Sequence, residues 1–482
     1  MRVAVYIASQ QKGFLLSTAR LLARDHDVCV VAYDANVAAL VGRLAPEFAE
    51  SMVVQSEVVF PVQQDKAVAE ALRMEGDYGI RMSFVMGKDR GLGRGYIFNA
   101  DCYPDVGRSW WSHERKLAEL VSRFLFAEHV LDTLRPDVII GLQKVTELYC
   151  VARARGVRYY SPAAVKFGSR YIVSDDEYLT NSKYRENIKA LALSGEQGDE
   201  ELGGYEQEAG SKYNHGKLSY TWRRTLFDVG RQCWGEVKKI LRGRMRKDSY
   251  APFGWVPSIL RSKLAYDYFC KHGKTPDELK GYQLVYVPLH LEPEIALLSV
   301  SPEFNNTMEM VAWVSKSLPA NALLVVKEQP YAFGIRSQKY YDMLRRIGNV
   351  VLAHPDTKSW PWIEASGLVV AITGTAGTEA VNMHRPVLSY GAHQVINHLP
   401  TVRFARDYST TRDAVDALLA IDKDHPDFSR AKWCLRKAQI DNSFELKGYE
   451  RTFGGLDSEP ELAQCFVAAL YAYDPTLGGA GQ

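Results

Sequence analysis

The chain has 482 residues, more than one ordinary hydrophobic core serves, so two large domains or more are expected. Hydrophobic residues at 46% and charged residues at 24% fit a soluble globular protein, and a formal net charge of +2 supplies no global field suited to a nucleic-acid backbone. Seven scattered cysteines with no CxxC pair argue against a disulfide framework and a zinc site, and fit a reducing cytoplasm. No stretch of about 18 apolar residues exists to span a membrane. The apolar start, residues 1–8, is only a strand long and lacks the features of a signal peptide.

In chain order, residues 3–8 form an apolar strand, 9–13 a turn, 14–24 a helix with Phe14, Leu15, Thr18, Leu21 and Leu22 on one side, and 28–33 a second strand. This is a βαβ unit, hence a parallel sheet. The pattern returns with a helix over 113–134, a strand over 138–141, a helix over 147–155 and a strand over 157–160. Residues 1–185 therefore read as a first Rossmann-like domain, with a Gly- and aromatic-rich region inside 52–111 as an insertion or acceptor-facing loops. Residues 186–279 read as a flexible acidic, glycine-rich loop (194–215) followed by a basic helical linker (218–272). Its basic run from Lys238 to Lys247 has two readings, a contact with an anionic membrane surface or a solvated helix face.

Residues 280–425 form a second Rossmann-like domain with four apolar strands at 284–290, 323–326, 368–372 and 386–390. Helices and a Gly-rich tail fill 426–482. The fold class is thus α/β, two Rossmann-like domains of the GT-B type with a helical linker and C-terminal helices. Each strand of the second domain ends on polar or glycine residues, and in parallel α/β sheets ligands sit at those carboxyl ends.

Several constellations there can carry chemistry. Thr373, Gly374, Thr375, Gly377, Thr378 and Glu379 form a strand-to-helix turn. Its glycines admit a close backbone approach, its threonines add donors, and its helix start favours an anion. The same turn is also what a capped strand–helix junction looks like. Glu379 suits a ribose or serves as a capping carboxylate. Lys327, Gln329 and Pro330 close the preceding strand. Lys327 suits a phosphate, Gln329 a base or sugar, and Arg336 follows as a further cation or a surface ion pair. His290, Glu292 and Glu294 follow the first strand as proton-transfer candidates or as an acidic helix start. His354, Pro355 and Asp356 are candidates to shape a base pocket. In the first domain, Glu147 follows Gln143 and Lys144 after a strand and is either a catalytic base or a helix cap; Asp175 and Asp176 form an acidic turn with too few ligands for a metal.

The spaced set His290…Glu294, Lys327-Glu-Gln-Pro330, Arg336, Pro355, Thr373-Gly-Thr-Ala-Gly-Thr-Glu379 and Tyr390-Gly391 resembles the bacterial capsule polysaccharide biosynthesis family, whose best-understood branch comprises Kdo transferases using CMP-Kdo. The resemblance covers about 285–400, with a weaker match over 137–176. A Gln-Pro pair, Gln329-Pro330, stands where other CMP-sugar transferases often carry His-Pro. The resemblance implies a glycosyltransferase that needs no cofactor or metal, takes a nucleotide sugar with a CMP-sugar favoured, and acts on a glycan or glycolipid acceptor in the cytoplasm, with peripheral contact at the inner face of the membrane. In that reading the second domain grips the nucleotide, and Glu147, Glu294 and His290 are the catalytic candidates. A nucleotide-sugar epimerase or hydrolase, and a non-catalytic assembly scaffold, are the rival readings.

Overall fold

The computed structural model describes residues 1–8, 10–96, 99–104, 107–142, 145–196, 198, 202, 220–241, 252–449 and 460–478. Most of the acidic loop expected over 194–215, the part of the basic run beyond Leu241, and Gln143 and Lys144 lie outside them. The chain divides into two compact units, Met1–Met86 with Ser112–Asn187 and Lys437–Gln482, and Gly87–Trp111 with Ile188–Arg436.

The first unit is built on β1 (Arg2–Ile7), β2 (Asp27–Ala32), β3 (Met52–Val54), β4 (Val138–Ile140), β5 (Arg158–Ala164) and β6 (Arg170–Ser174), with a short strand Phe444–Glu445 at one edge. The sheet order is Phe444–Glu445, β6, β5, β4, β1, β2, β3. Strands β1 to β5 pair in parallel, whereas β6 runs antiparallel to β5. Val3, Val5 and Ile7 of β1 and Val28, Val30 and Ala32 of β2 enter the core, which explains why these strands read as near-continuous apolar runs. The C-terminal residues belong to this core. Phe14 on helix Lys12–Leu22 meets Phe466 at 5.7 Å and Tyr449 at 5.0 Å between ring centroids, and helix Pro460–Tyr473 buries Leu462, Phe466 and Leu470 there.

The second unit is an all-parallel sheet of β7 (Gln283–Pro288), β8 (Ala322–Lys327), β9 (Val350–Leu352), β10 (Leu368–Ala371), β11 (Val387–Ser389) and β12 (Val402–Phe404). Its order, β12-β11-β10-β7-β8-β9, is the 3-2-1-4-5-6 order of a Rossmann fold counted from its own first strand. Along β8, Leu324 and Val326 enter the core cluster on one face, so Val325 and Lys327 belong to the other.

Two segments sit elsewhere than the sequence suggests. Residues 87–111, read as part of a first-domain insertion, fold with the second unit: Cys102 N donates to Ile335 O at 2.9 Å and Ser337 N to Asp101 Oδ1 at 2.8 Å. The helical stretch read as a linker also belongs to the second unit, through helices Trp222–Leu241 and Trp255–His272. Neither segment shows a strand-like apolar run that would reveal its destination. Among the described residues, no helix is long and apolar enough to cross a membrane.

Candidate functional site

In the second unit the chain leaves the adjacent strands β7 and β10 in opposite directions across the sheet, and a crevice at such a reversal is where open α/β sheets bind ligands. Three sequence-predicted residues meet there. His290, two residues past β7, is buried, and its Nε2 accepts a hydrogen bond from Thr373 N at 3.4 Å. Gly374 has φ +91°, a left-handed conformation that a side chain would strain. Gly377, second in helix Ala376–Asn382, lies so close to its neighbours that a Cβ would lie 2.8 Å from Ile396 Cδ1. Thr378 and Glu379 are buried on that helix, and Thr375 occupies its N-cap position. The Thr373 hydroxyl is buried without a hydrogen-bond partner among the described residues.

Lys327 is the last residue of β8, beside β7, and its carbonyl accepts from Leu289 N at 2.8 Å. Its side chain is 7% exposed, and its ammonium has no hydrogen-bond or ion-pair partner among the described residues. Burial lowers its pKa to about 8, against the pull of Glu328 and Asp356. A buried cation without a partner is costly, and an anionic ligand group relieves that cost.

The neighbouring charges are arranged differently. Arg336, expected as a further cation for the ligand, is wholly buried and ion-paired. Its Nη1 donates to both Glu328 carboxylate oxygens at 2.8 and 2.7 Å, and its Nη2 to His290 O at 2.5 Å. It therefore ties the β8 loop to the β7 loop and positions His290 rather than presenting charge outward. Tyr341 donates to Glu328 Oε2 at 2.9 Å. Glu292 is buried 3.7 Å from Arg336, accepts from the Thr307 hydroxyl at 3.0 Å, and has its pKa pushed up to about 7, chiefly by burial. Asn99 donates to Thr307 Oγ1 at 3.0 Å. Asn99, Thr307 and Tyr341 escaped the sequence reading because nothing near them in the chain marks a site.

Gln329 is exposed, and its backbone N donates to Glu328 Oε1 at 2.8 Å before the turn Pro330–Ala332. Glu294 is half-buried at the N-cap position of helix Ile295–Val300. After β9, Asp356 accepts from Tyr266 OH at 3.0 Å, and its backbone N donates to His354 Nδ1 at 3.4 Å.

In the first unit, Glu147 lies in the first turn of helix Thr146–Ala154, which follows β4. It is buried, with Oε1 3.6 Å from Arg123 Nη1; the same guanidinium holds Glu119 at 2.9 Å. Asp176 closes the acidic turn by accepting from Tyr178 N at 2.9 Å and Thr180 N at 3.0 Å, and Asp175 accepts from Tyr473 OH at 2.6 Å. These aspartates have structural partners.

No known protein family matches the sequence, and no curated protein matches it. Solved structures similar to it include Thermosulfurimonas dismutans KpsC, described as a beta Kdo 2,7 transferase, at 13% identity and TM-score 0.35, covering 72% of this chain and 88% of that one. A glycosyltransferase from Rickettsia africae is similar at 8% identity and TM-score 0.32, covering 99% of each chain. The UDP-GlcNAc 2-epimerase from Methanocaldococcus jannaschii is similar at 9% identity and TM-score 0.25, covering 91% of this chain and 99% of that one. The fold itself rests on strand order: this chain carries two Rossmann-like units, the pair from which GT-B folds are built.

Proposed function

We propose that this protein is a glycosyltransferase that takes its sugar from a nucleotide donor held by the second unit. The observation that carries the reading is Lys327, a buried residue whose ammonium has no protein partner among the described residues, at the carboxyl end of a Rossmann sheet and one strand from the crevice where His290 meets the Thr373–Gly374 turn. Lys327 neutralises the donor phosphate, and the Thr373 hydroxyl and the open backbone at Gly374 add donors and room. Glu379 is assigned to the ribose, and Gln329, the exposed residue of the group, to the base or sugar.

As the glycosidic bond breaks, negative charge grows on the leaving phosphate, and a fixed cation in a buried site stabilises it more than water does. Glu147 of the first unit is assigned as the base that takes the acceptor hydroxyl proton, with Glu294 and His290 the next candidates. A CMP-activated sugar, Kdo first among them, and a glycan or glycolipid acceptor are proposed on the motif resemblance around Lys327-Glu-Gln-Pro330 and Thr373–Glu379.

Thermal unfolding with CMP, UDP, GDP and their sugars tests the donor site. A ligand at a hundred times its Kd is expected to stabilise the protein by about 2.7 kcal/mol. Product analysis with a radiolabelled donor then tests the reaction, with label expected on an acceptor. Stabilisation by no nucleotide refutes the site, and label that stays on the nucleotide or is released to water refutes the transfer.

A further inference from the structure

Helix Trp222–Leu241 of the second unit leaves its largest apolar side chains exposed. Its packed side, toward helix Trp255–His272, is mixed: Thr225 is buried, and Asp228, Gln232 and Glu236 are half-buried together with Val229, Cys233 and Val237. Its outward side carries the larger apolar residues. Leu226, Phe227, Trp234 and Leu241 are 61%, 61%, 59% and 78% exposed. At about 100° per residue, positions 223, 227, 230, 234, 238 and 241 form one stripe, so Arg223 and Lys238 stand among these side chains. Lys238 Nζ sits 5.1 Å from the Trp234 ring centre and the Arg224 guanidinium 5.6 Å from that of Phe227.

The acidic residues of the helix are held locally. Asp228 pairs with Arg224 at 2.9 Å and Arg231 at 3.2 Å, and Glu236 with Lys239 at 2.7 Å. What faces solvent is an aromatic and aliphatic ridge within a rim of cations.

We infer that this helix docks the protein on an anionic phospholipid surface, its aromatic and leucine side chains entering the headgroup boundary and Arg223 and Lys238 meeting lipid phosphates. The charge pattern selects this occupant. Ring systems with cations beside them suit the interface, where the apolar part is buried and the charge stays with the headgroups. A patch of this kind on a folded protein marks an interaction surface. The inference stands on the helix alone and does not depend on the proposed donor site.

The test is co-sedimentation of the full chain with vesicles of phosphatidylcholine alone and of phosphatidylcholine mixed with phosphatidylglycerol. Binding is expected to the mixed vesicles only, and to weaken as salt is raised. The double variant Phe227→Ser/Trp234→Ser and the double variant Arg223→Glu/Lys238→Glu should each bind about tenfold or more weakly. Both should keep the wild-type melting temperature, since all four side chains point outward. Equal binding to both vesicle types, no binding by the wild type, or undiminished binding by both variants overturns the inference. So does a solution dimer that Phe227→Ser/Trp234→Ser converts to monomer, because the face would then belong to a second copy.

Discussion

The two Rossmann-like units share a strand order, yet the polar groups beyond their strands are treated differently. In the first unit the acidic residues have protein partners: Glu147 beside Arg123, Asp176 on its turn amides, Asp474 paired with Arg158 at 2.6 Å. In the second unit, the Thr373 hydroxyl is buried with no partner among the described residues, and Lys327, a buried residue, has no ion pair, whereas Arg336 is paired with Glu328. Buried polar groups in folded proteins nearly always find partners, so an unmatched group at a strand end in a ligand-binding crevice is a candidate for contact with a ligand. A repeated fold therefore does not make two equivalent sites: the first unit also buries unmatched hydroxyls, those of Ser161 and Thr180, but the second adds the uncompensated cation Lys327 at a strand end.

The sharpest way to break this contrast is Glu147→Gln. If the first unit supplies the base, turnover should fall by about 10²- to 10⁴-fold while donor affinity, measured by calorimetry, stays within experimental scatter. Retained turnover would move the base to Glu294 or His290.

Arg336→Met probes the satisfied network. Removing one partner of a buried pair leaves Glu328 uncompensated, so stability should drop by about 3–5 kcal/mol in urea denaturation. A small drop with lost nucleotide binding would instead return Arg336 to the ligand.

Lys327→Met probes the unsatisfied group and should behave oppositely. Nucleotide affinity should fall about 10- to 100-fold, as for a lost charge-assisted hydrogen bond, without loss of stability near neutral pH. The pH dependence has a definite sign. Folding lowers this pKa from 10.5 to about 8, so the unfolded chain binds more protons between those values and stability rises with pH across that window. Lys327→Met should remove that rise, and wild-type nucleotide affinity should weaken above pH 8 as the ammonium deprotonates.

Thr373→Val should weaken nucleotide binding only several-fold and leave the melting temperature unchanged or higher, because it removes a hydroxyl with nothing to bond. Glu292→Gln is read in the pH dependence of stability alone. The raised pKa means that the folded state holds a proton that the unfolded state loses between 4.5 and about 7, so stability falls as pH rises there. The variant should flatten that slope in a pH series of thermal melts.

Much of this was legible from residue order. The apolar runs ending in Lys327, at His290 and at Thr373-Gly374 are short, bounded and local, and they become β8, β7 and β10 with those residues at the carboxyl ends. Arg336 illustrates the limit. An arginine a few residues past a phosphate-suited lysine reads as a second cation, and only its burial against Glu328 reveals a positioning role. The exposed ridge on helix Trp222–Leu241 was equally hidden: its period is helical, and periodicity does not say which side finds a partner.

By itself the amino-acid order determined the α/β class, two Rossmann-like halves and the residues at their strand ends, because apolar runs and glycine turns act over a few neighbours. The tertiary structure alone decided that residues 87–111 and the helices after Ile188 join the second unit, that the C-terminal helices complete the first core, and which charges are matched. Those outcomes depend on pairings between residues far apart in the chain, where burial and charge compensation are set by what packs alongside and no local pattern encodes the partner.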